Sequence, residues 1–206
     1  MPCRCNLHYN IKLRMPWSQR TKVGVSIAVI IGLAGGAWLW WVRGDEALRW
    51  KAVDRMIAQS HGSVPTISTE TLAERLNRPA NERPLLLDAR APEEYATSHI
   101  EGARHYDPER PNTALLDTVA TDRPIAVYCS VGYRSAGVVK ALRDNGYTNV
   151  VNVEGSIFRW ANEGRPVVQQ GERTNHVHPY DAVWGQLLND TLRASNAPAP
   201  YSTSGE

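Results

Sequence analysis

The stretch "PIAVYCSVGYRSAGVVKALRDNG", residues 124–146, changes character twice along its length. Its first residues, Ile125 to Tyr128, are apolar without alternation, which is typical of a strand buried on both faces of a parallel sheet. Apolar residues then recur at helical spacing until Asn145, where Asn-Gly is a helix stop signal. The stretch therefore predicts a strand, a short loop and a helix, with Cys129 at the start of the loop.

The same alternation of short apolar runs and helical segments extends over most of the chain. Predicted strands lie within residues 66–68, 84–90, 102–106, 124–129 and 148–153, and predicted helices within residues 45–59, 69–76, 91–100, 112–120, 135–146 and 156–164. Ser68 or Thr69 would cap the second helix, and Pro92 would open the third. Strands that alternate with helices indicate βαβ units, so we expect an α/β domain with a small parallel sheet flanked by helices over residues 64–168.

The composition of the 206-residue chain excludes some classes of function. The formal net charge is only +2, and both signs are spread along the sequence, so no basic surface for nucleic acid is expected. Cysteine is scarce, with Cys3, Cys5 and Cys129 as the whole set. Cys129 has no disulfide partner within the predicted domain, so its thiol is either buried and inert or reactive. Cys3 and Cys5 lack the further ligands of a tetrahedral site, and we expect neither a metal nor a cofactor.

An apolar segment precedes the domain. Residues 23–42, "VGVSIAVIIGLAGGAWLWWV", contain no charged side chain, and a bilayer span needs ~20 such residues. Tryptophans cluster at the end of the segment, where an aromatic belt would lie. Lys and Arg without any acid over residues 1–22 predict a cytoplasmic N-terminus and, in a bacterium, a periplasmic domain on a single inner-membrane anchor. The alternative is a cleaved signal peptide, with small residues at 34–37 as the cleavage site.

These features divide the chain into six segments. We expect a basic cytoplasmic tail (1–22), a transmembrane anchor (23–42), a juxtamembrane helical linker (43–63), the α/β domain (64–168), a C-terminal docking segment (169–190) and a disordered tail (191–206). Gly32 and Gly36 form a GxxxG pair that would permit a weak homodimer through the anchor. Met15 is an alternative start to Met1.

Cys129 follows the carboxyl end of a buried strand, where ligands bind in open α/β sheets. A loop that turns back there points its N–H groups inward, and the next helix adds its dipole, so an anion such as a thiolate is stabilised. Gly132 permits the tight backbone, and Arg134 adds a permanent positive charge. We therefore predict a reactive thiol, with a buried structural cysteine as the alternative. The predicted substrate-binding loop consists of Ser130, Val131, Gly132, Tyr133 and Arg134.

The loop "YCSVGYRS", residues 128–135, resembles the active-site loop of rhodaneses, sulfurtransferases that carry a persulfide on cysteine. Three further segments resemble rhodanese signatures in the same order: "VPTIST" (64–69), "LLLDARAPEEYATSHIEGA" (85–103) and "VVNVEGSIFRWANEGRPV" (150–167). One position departs from the pattern, since Ser156 stands where a second glycine is usual. Ser156 is distant from Cys129 in sequence, so no loss of activity is expected.

The resemblance implies a sulfur transfer in two steps. The Cys129 thiolate takes sulfane sulfur from a thiosulfate- or persulfide-type donor, and the loop N–H groups from Ser130 to Arg134 hold the resulting persulfide. A thiol acceptor, or cyanide in an assay, then removes the sulfur. One alternative is a non-catalytic membrane-tethered module for partner binding or redox sensing. A lesser alternative is a phosphatase or arsenate reductase, which the Cys-x4-Arg spacing disfavours because those relatives use Cys-x5-Arg for a larger anion.

Asp88 and Arg90 at the end of the neighbouring strand are expected to brace the cysteine loop through ion pairs, with Glu94 as a further partner. A purely structural salt bridge is the alternative. Tyr133 is expected to shape the substrate mouth.

The segment after the domain contains His176 and His178, which lack further metal ligands. We expect instead a short C-terminal helix that packs on the domain. The packing residues would be Pro179, Tyr180, Trp184, Leu187 and Leu188.

Overall fold

Five parallel strands form the central sheet of the structure, a computed structural model that describes residues 45–111 and 115–194. The strands are β1 (Thr66–Ile67), β2 (Leu85–Asp88), β3 (Arg104–His105), β4 (Ile125–Tyr128) and β5 (Val150–Val153). Their order across the sheet is β1-β5-β4-β2-β3, and each neighbouring pair is parallel. The predicted α/β fold with a small parallel sheet is confirmed.

Helices cover both faces of this sheet. They are α1 (Glu46–His61), α2 (Thr69–Leu76), α3 (Pro92–Thr97), α4 (Tyr133–Asp144) and α5 (Ser156–Asn162). Ser68 caps α2, because its side-chain oxygen accepts a hydrogen bond from the Thr71 N–H at 3.1 Å. Pro92 opens α3 as predicted, where its missing N–H has no helical partner to lose.

Alternate residues of β2 and β4 enter two separate cores, which explains why these strands are apolar throughout. Leu86 and Ala126 pack with α1, α2 and α5 in one core. Leu87 and Val127 pack in the other core, on the side of α4. The strands are therefore buried on both faces.

The register of β2 and β4 brings two loops together. Asp88 pairs with Tyr128 at the carboxyl ends of these strands. The Ala89 N–H continues the pairing by donating to the Tyr128 carbonyl at 2.7 Å. The chain segments that follow, toward Glu94 on one side and Cys129 on the other, therefore begin side by side.

Residues 43–63 were predicted to form a helical linker outside the domain. Helix α1 is helical as predicted, but its Trp50 and Val53 are buried in the core that contains Leu86 and Ala126. The Arg49 side chain also donates a hydrogen bond to the Gln186 carbonyl at 2.8 Å. An apolar stripe on α1 has a matching face on the domain, so the helix is part of the domain rather than a spacer.

The helix predicted over residues 112–120 is wrong for its described part. Leu115 to Ala120 forms turns, with the Val119 N–H donating to the Leu116 carbonyl at 2.9 Å. The Tyr147 hydroxyl donates to the same carbonyl at 3.1 Å, while the Leu116 side chain enters the core. Thr118 and Val119 are β-branched and weaken a helix, so tertiary contacts decide the local structure.

The C-terminal segment is folded onto the domain but contains no α-helix among its described residues. A hairpin of β6 (Val167–Gln169) and β7 (Glu172–Thr174) is followed by 3-10 turns at Trp184–Leu187 and Asp190–Leu192. Leu187 and Leu188 of this segment are buried in the core. The predicted helix is absent, and the 3-10 turn at Trp184–Leu187 ends where Leu188 becomes extended.

Residues 191–194, which were predicted to begin the disordered tail, are folded onto the domain. The Ala194 N–H donates to the Val177 carbonyl at 3.0 Å. The rest of the tail lies outside the described residues.

The predicted anchor over 23–42 and the basic tail before it also lie outside the described residues. Within residues 45–111 and 115–194, no helix combines the length and apolar composition that a bilayer span requires.

Candidate active site

The Cys129 thiol lies at the carboxyl end of β4, where the backbone turns under it. Its Sγ accepts a hydrogen bond from the Gly132 N–H at 3.2 Å and from the Ser135 hydroxyl at 3.5 Å. The Asn152 amide donates to the Gly132 carbonyl at 3.1 Å and holds the loop from β5. Cys129 is only 1% exposed, so the thiol sits in a closed pocket of donors.

Gly132 allows this turn, as predicted from the sequence. Its φ of 109° lies in the left-handed region that favours glycine. A Cβ at this position would lie 3.3 Å from the Ile57 Cδ1 of helix α1. Helix α4 begins directly afterwards, at Tyr133, so its N-terminal N–H groups point toward the thiol end of the loop.

Arg134 is held by Glu94 rather than directly by the thiol. Its two terminal nitrogens donate to the two Glu94 carboxylate oxygens at 2.7 and 2.8 Å, and one of them also donates to the Ser130 hydroxyl at 3.0 Å. The Ser130 hydroxyl in turn donates to Glu94 at 2.8 Å. Glu94 thus braces the cysteine loop, and Arg134 acts on Cys129 through space.

The pKa of the Cys129 thiol lies below its usual value. Burial by itself would raise this pKa, because it disfavours the charged thiolate. The positive charge of Arg134, the hydroxyl and N–H of Ser135 and the N–H of Gly132 stabilise the thiolate and outweigh burial. Ser135 lies one residue beyond the predicted loop. The sequence signals for Ser135 were its place at the end of the stretch 128–135 and in the first turn of the following helix.

Asp88 and Arg90 were expected to brace the cysteine loop together with Glu94, but their hydrogen bonds go elsewhere. They pair with each other, Nη2 to Oδ2 at 2.6 Å, and both side chains are fully buried. The same Nη2 donates to the Ser98 carbonyl at 2.5 Å, so the pair fixes the loop around α3. No hydrogen bond joins either residue to Glu94 within the described residues. The charge of Arg90 nevertheless reaches Glu94, because it is one of the charges that lower the pKa of that carboxyl against the effect of burial.

Ser156 is close to the thiol although it is distant in sequence. Its hydroxyl accepts a hydrogen bond from the Cys129 N–H at 3.1 Å and donates to the Val153 carbonyl at 2.9 Å. Its φ of 50° explains why a glycine would suit this position. The departure from the rhodanese pattern thus adds a tether to the cysteine backbone.

The remaining loop residues face other elements. Val131 is buried in the core, and the ring of Tyr133 packs edge-to-face on His61 of α1, with 4.8 Å between centroids. His178 is buried, whereas His176 is exposed. No group of three or more metal-ligating side chains occurs among the residues described. The site therefore contains a nucleophilic thiolate whose charge is stabilised by neighbouring N–H, hydroxyl and guanidinium groups.

The sequence of this chain is similar to those of known proteins. Residues 68–163 match the family described as Rhodanese-like domain. A protein of Allochromatium vinosum named sulfurtransferase is 35% identical over 109 residues, which cover 51% of this chain and 95% of that protein. The chain belongs to the rhodanese-like family.

A further relative and a solved structure are similar to part of this chain. A thiosulfate sulfurtransferase of Stutzerimonas stutzeri is 31% identical over 83 residues, 39% of this chain and 72% of that enzyme. The crystal structure of a rhodanese-like domain protein from Staphylococcus aureus is similar at 28% identity and a TM-score of 0.42, over 52% of this chain and 98% of that chain. The rhodanese-like match includes Glu94 and the whole cysteine loop. Helix α1 and the segment after β7 lie outside it.

Proposed function

We propose that this rhodanese-like protein is a sulfurtransferase that carries sulfane sulfur as a persulfide on Cys129. The observation that carries the proposal is the thiol itself, which accepts hydrogen bonds from Gly132 and Ser135 beside Arg134 in a Cys-x4-Arg loop. Family membership and relatives named as sulfurtransferases support sulfur transfer in general.

The first step forms the persulfide. The Cys129 thiolate attacks the outer sulfur of a donor such as thiosulfate and forms a new S–S bond. The S–S bond of the donor breaks, and sulfite leaves with the electron pair. No external oxidant or reductant is needed, because sulfane sulfur moves from one nucleophile to another.

The second step regenerates the thiolate. An acceptor thiolate, or cyanide in an assay, attacks the terminal sulfur, and Cys129 leaves with the electron pair. The N–H of Gly132 and the charge of Arg134 stabilise the anionic persulfide before this step, as donors stabilise an oxyanion. Ser130 and Glu94 keep Arg134 in place during both steps.

The test is the intact mass of the full chain carrying Cys3→Ser and Cys5→Ser, before and after thiosulfate and then cyanide. The expected result is a gain of one sulfur atom that cyanide removes. Addition of Cys129→Ser to the same chain should abolish the gain. A folded chain with a free Cys129 thiol and an unchanged mass would overturn sulfur transfer from thiosulfate and favour a partner-binding or redox-sensing module.

We also propose that the domain is anchored in the inner membrane by residues 23–42 and faces the periplasm, supported by the uncharged segment and the basic residues before it. A small-molecule thiol would then be the acceptor in that compartment. Labelling of Cys129 in intact and in permeabilised bacterial cells by a membrane-impermeant thiol reagent tests the orientation. Labelling only after permeabilisation, with the chain in the membrane fraction, would reverse the proposed sidedness.

A further inference from the structure

The segment after β7 returns to the cysteine loop, although it lies outside the residues that match the family. The ring of Tyr180 lies 4.9 Å from the Arg134 Cζ, in the geometry of a cation–π contact. Tyr180 is 45% exposed, so one side of its ring covers Arg134 while the rest faces solvent. A side chain from the far end of the domain thus borders the site.

The turn that presents Tyr180 is strained. Tyr180 has a φ of 66°, in the left-handed region that non-glycine residues rarely adopt. The turn is held because the Tyr180 N–H donates to the His178 Nδ1 at 3.0 Å. A neutral imidazole that accepts at Nδ1 carries its proton on Nε2. That Nε2 is buried without a hydrogen-bond partner among the described residues.

The same segment is anchored firmly before the turn. Val177 is fully buried, and its N–H donates to the Leu192 carbonyl at 2.7 Å. His178 is only 5% exposed. The position of Tyr180 over Arg134 therefore follows from core packing. A left-handed residue and an unpartnered imidazole N–H both reduce stability here, and such local strain marks functional positions.

The Tyr180 ring adds a contact to the Arg134 guanidinium that its hydrogen bonds do not supply. Glu94 and Ser130 hold the edge of the guanidinium group, but these bonds leave its two faces free. The Arg134 Cζ lies over the face of the Tyr180 ring, and the Arg134 side chain is 26% exposed. An uncovered guanidinium would gain solvent, and solvent screens a charge. The ring therefore keeps the charge of Arg134 effective near Cys129.

We propose that Tyr180 is a positioning residue for sulfur transfer, which fixes the Arg134 guanidinium beside Cys129 and the incoming anionic donor. This inference deepens the proposed function and rests on it. The hydroxyl of Tyr180 is not required, because the ring face makes the contact.

The test compares three variants of the full chain, in the background of Cys3→Ser and Cys5→Ser. Tyr180→Leu removes the ring, Tyr180→Phe keeps it, and Val183→Ala changes an exposed neighbour in the same segment. Three quantities are measured: the pKa of Cys129 from the ultraviolet absorbance of its thiolate, and KM and kcat for thiosulfate, each determined separately. Cys129→Ser supplies the absorbance blank.

For Tyr180→Leu we expect a higher thiol pKa and a KM for thiosulfate raised about threefold, the size of a partly exposed cation–π contact. Tyr180→Phe and Val183→Ala should match the unmodified background. A Tyr180→Leu chain with an unchanged pKa and KM would overturn the proposal. So would a Tyr180→Phe chain that loses as much as Tyr180→Leu. If the background chain gains no sulfur from thiosulfate, the proposed function fails, whereas the absorbance titration still tests the ring.

Discussion

Glu94 is buried, and its carboxylate oxygens accept hydrogen bonds from Arg134, from the Ser130 hydroxyl and, at 3.0 Å, from the Ala91 N–H. The bond to Ala91 places Glu94 at the third position of helix α3, where an acidic side chain caps the helix start. One carboxylate therefore joins the start of α3 to the cysteine loop.

Glu94→Gln is expected to lower the free energy of unfolding at neutral pH by about 2 kcal/mol, because it leaves Arg134 without its counter-charge. Burial would raise the pKa of Glu94, but hydrogen bonds and charge from Arg134 hold it below its usual value. A depressed carboxylate pKa adds stability above the unfolded-state pKa, and this stability is lost as pH falls through the folded-state pKa. Urea unfolding at neutral and acidic pH should therefore show the difference between the two chains shrinking in acid. A difference that is constant with pH would contradict this account.

Two substitutions at Ser156 separate the contribution of its hydrogen bonds from the cost of its left-handed backbone. Ser156→Ala keeps the left-handed strain and leaves the Cys129 N–H without its acceptor, so we expect a loss of about 2 kcal/mol in unfolding free energy. Ser156→Gly loses the same hydrogen bonds but relieves the strain, so its loss should be smaller. Chemical denaturation of both variants gives the comparison. The reverse order would show that the strain is negligible.

Gly132→Ala tests the turn beneath the thiol. The left-handed φ and the close approach to Ile57 together should lower the unfolding free energy by about 2 kcal/mol or more. Displacement of the Gly132 N–H should also raise the thiol pKa. Gly146→Ala is a matched control for backbone strain alone, since its φ is 91° but no atom lies near its Cβ position. Equal thiol pKa values in the two variants would remove the special role of Gly132.

At the scale of elements, helix α1 contributes directly to the core, and its Ile57 lies close to Gly132 of the cysteine loop. Val53→Ala should lower the unfolding free energy by about 2 kcal/mol, because it leaves a cavity between α1 and the sheet. Leu48→Ala on the same helix is the control, since Leu48 is 45% exposed and should change stability by less than about 0.5 kcal/mol. Thermal or urea unfolding of the full chain distinguishes the two. Equal small effects would restore the linker interpretation.

Elements with strong local signals could be predicted from the sequence. β2 and β4 are short apolar runs between clear breakers, and Ser68 and Gly146 mark helix ends. Residues 115–120 could not be predicted, since the Tyr147 hydroxyl fixes their turn from a distance.

The same limit applies within the site. The loop that carries Cys129, Gly132 and Arg134 is contiguous and was visible in the sequence. The contacts of Ser156 with Cys129 and of Tyr180 with Arg134 depend on chain segments that meet only after folding. Hydrophobic periodicity in the sequence indicates the type of one helix or strand at a time, and it does not indicate which distant segments come into contact.

At the scale of the whole molecule, the folded domain favours the charged form of Cys129, so its stability should depend on pH. The folded-state pKa of the thiol is depressed, so this group adds stability that is complete above the unfolded-state pKa, about 8.5, and is lost as pH falls through the folded-state pKa. The unfolding free energy of the chain minus that of Cys129→Ser should therefore rise with pH across this window. Urea unfolding under reducing conditions measures it, and a flat difference would mean that the thiol is not depressed.

The bond between Arg49 and the Gln186 carbonyl joins positions 137 residues apart. A ribosome releases the chain from its N-terminus, so α1 emerges long before its partner does. β1 is likewise synthesised well before β5, with which it pairs through Thr66 and Asn152. The contact between α1 and the C-terminal segment therefore closes only after residue 186 has been synthesised, and until then this part of α1 stays uncovered on the nascent chain, within reach of chaperones.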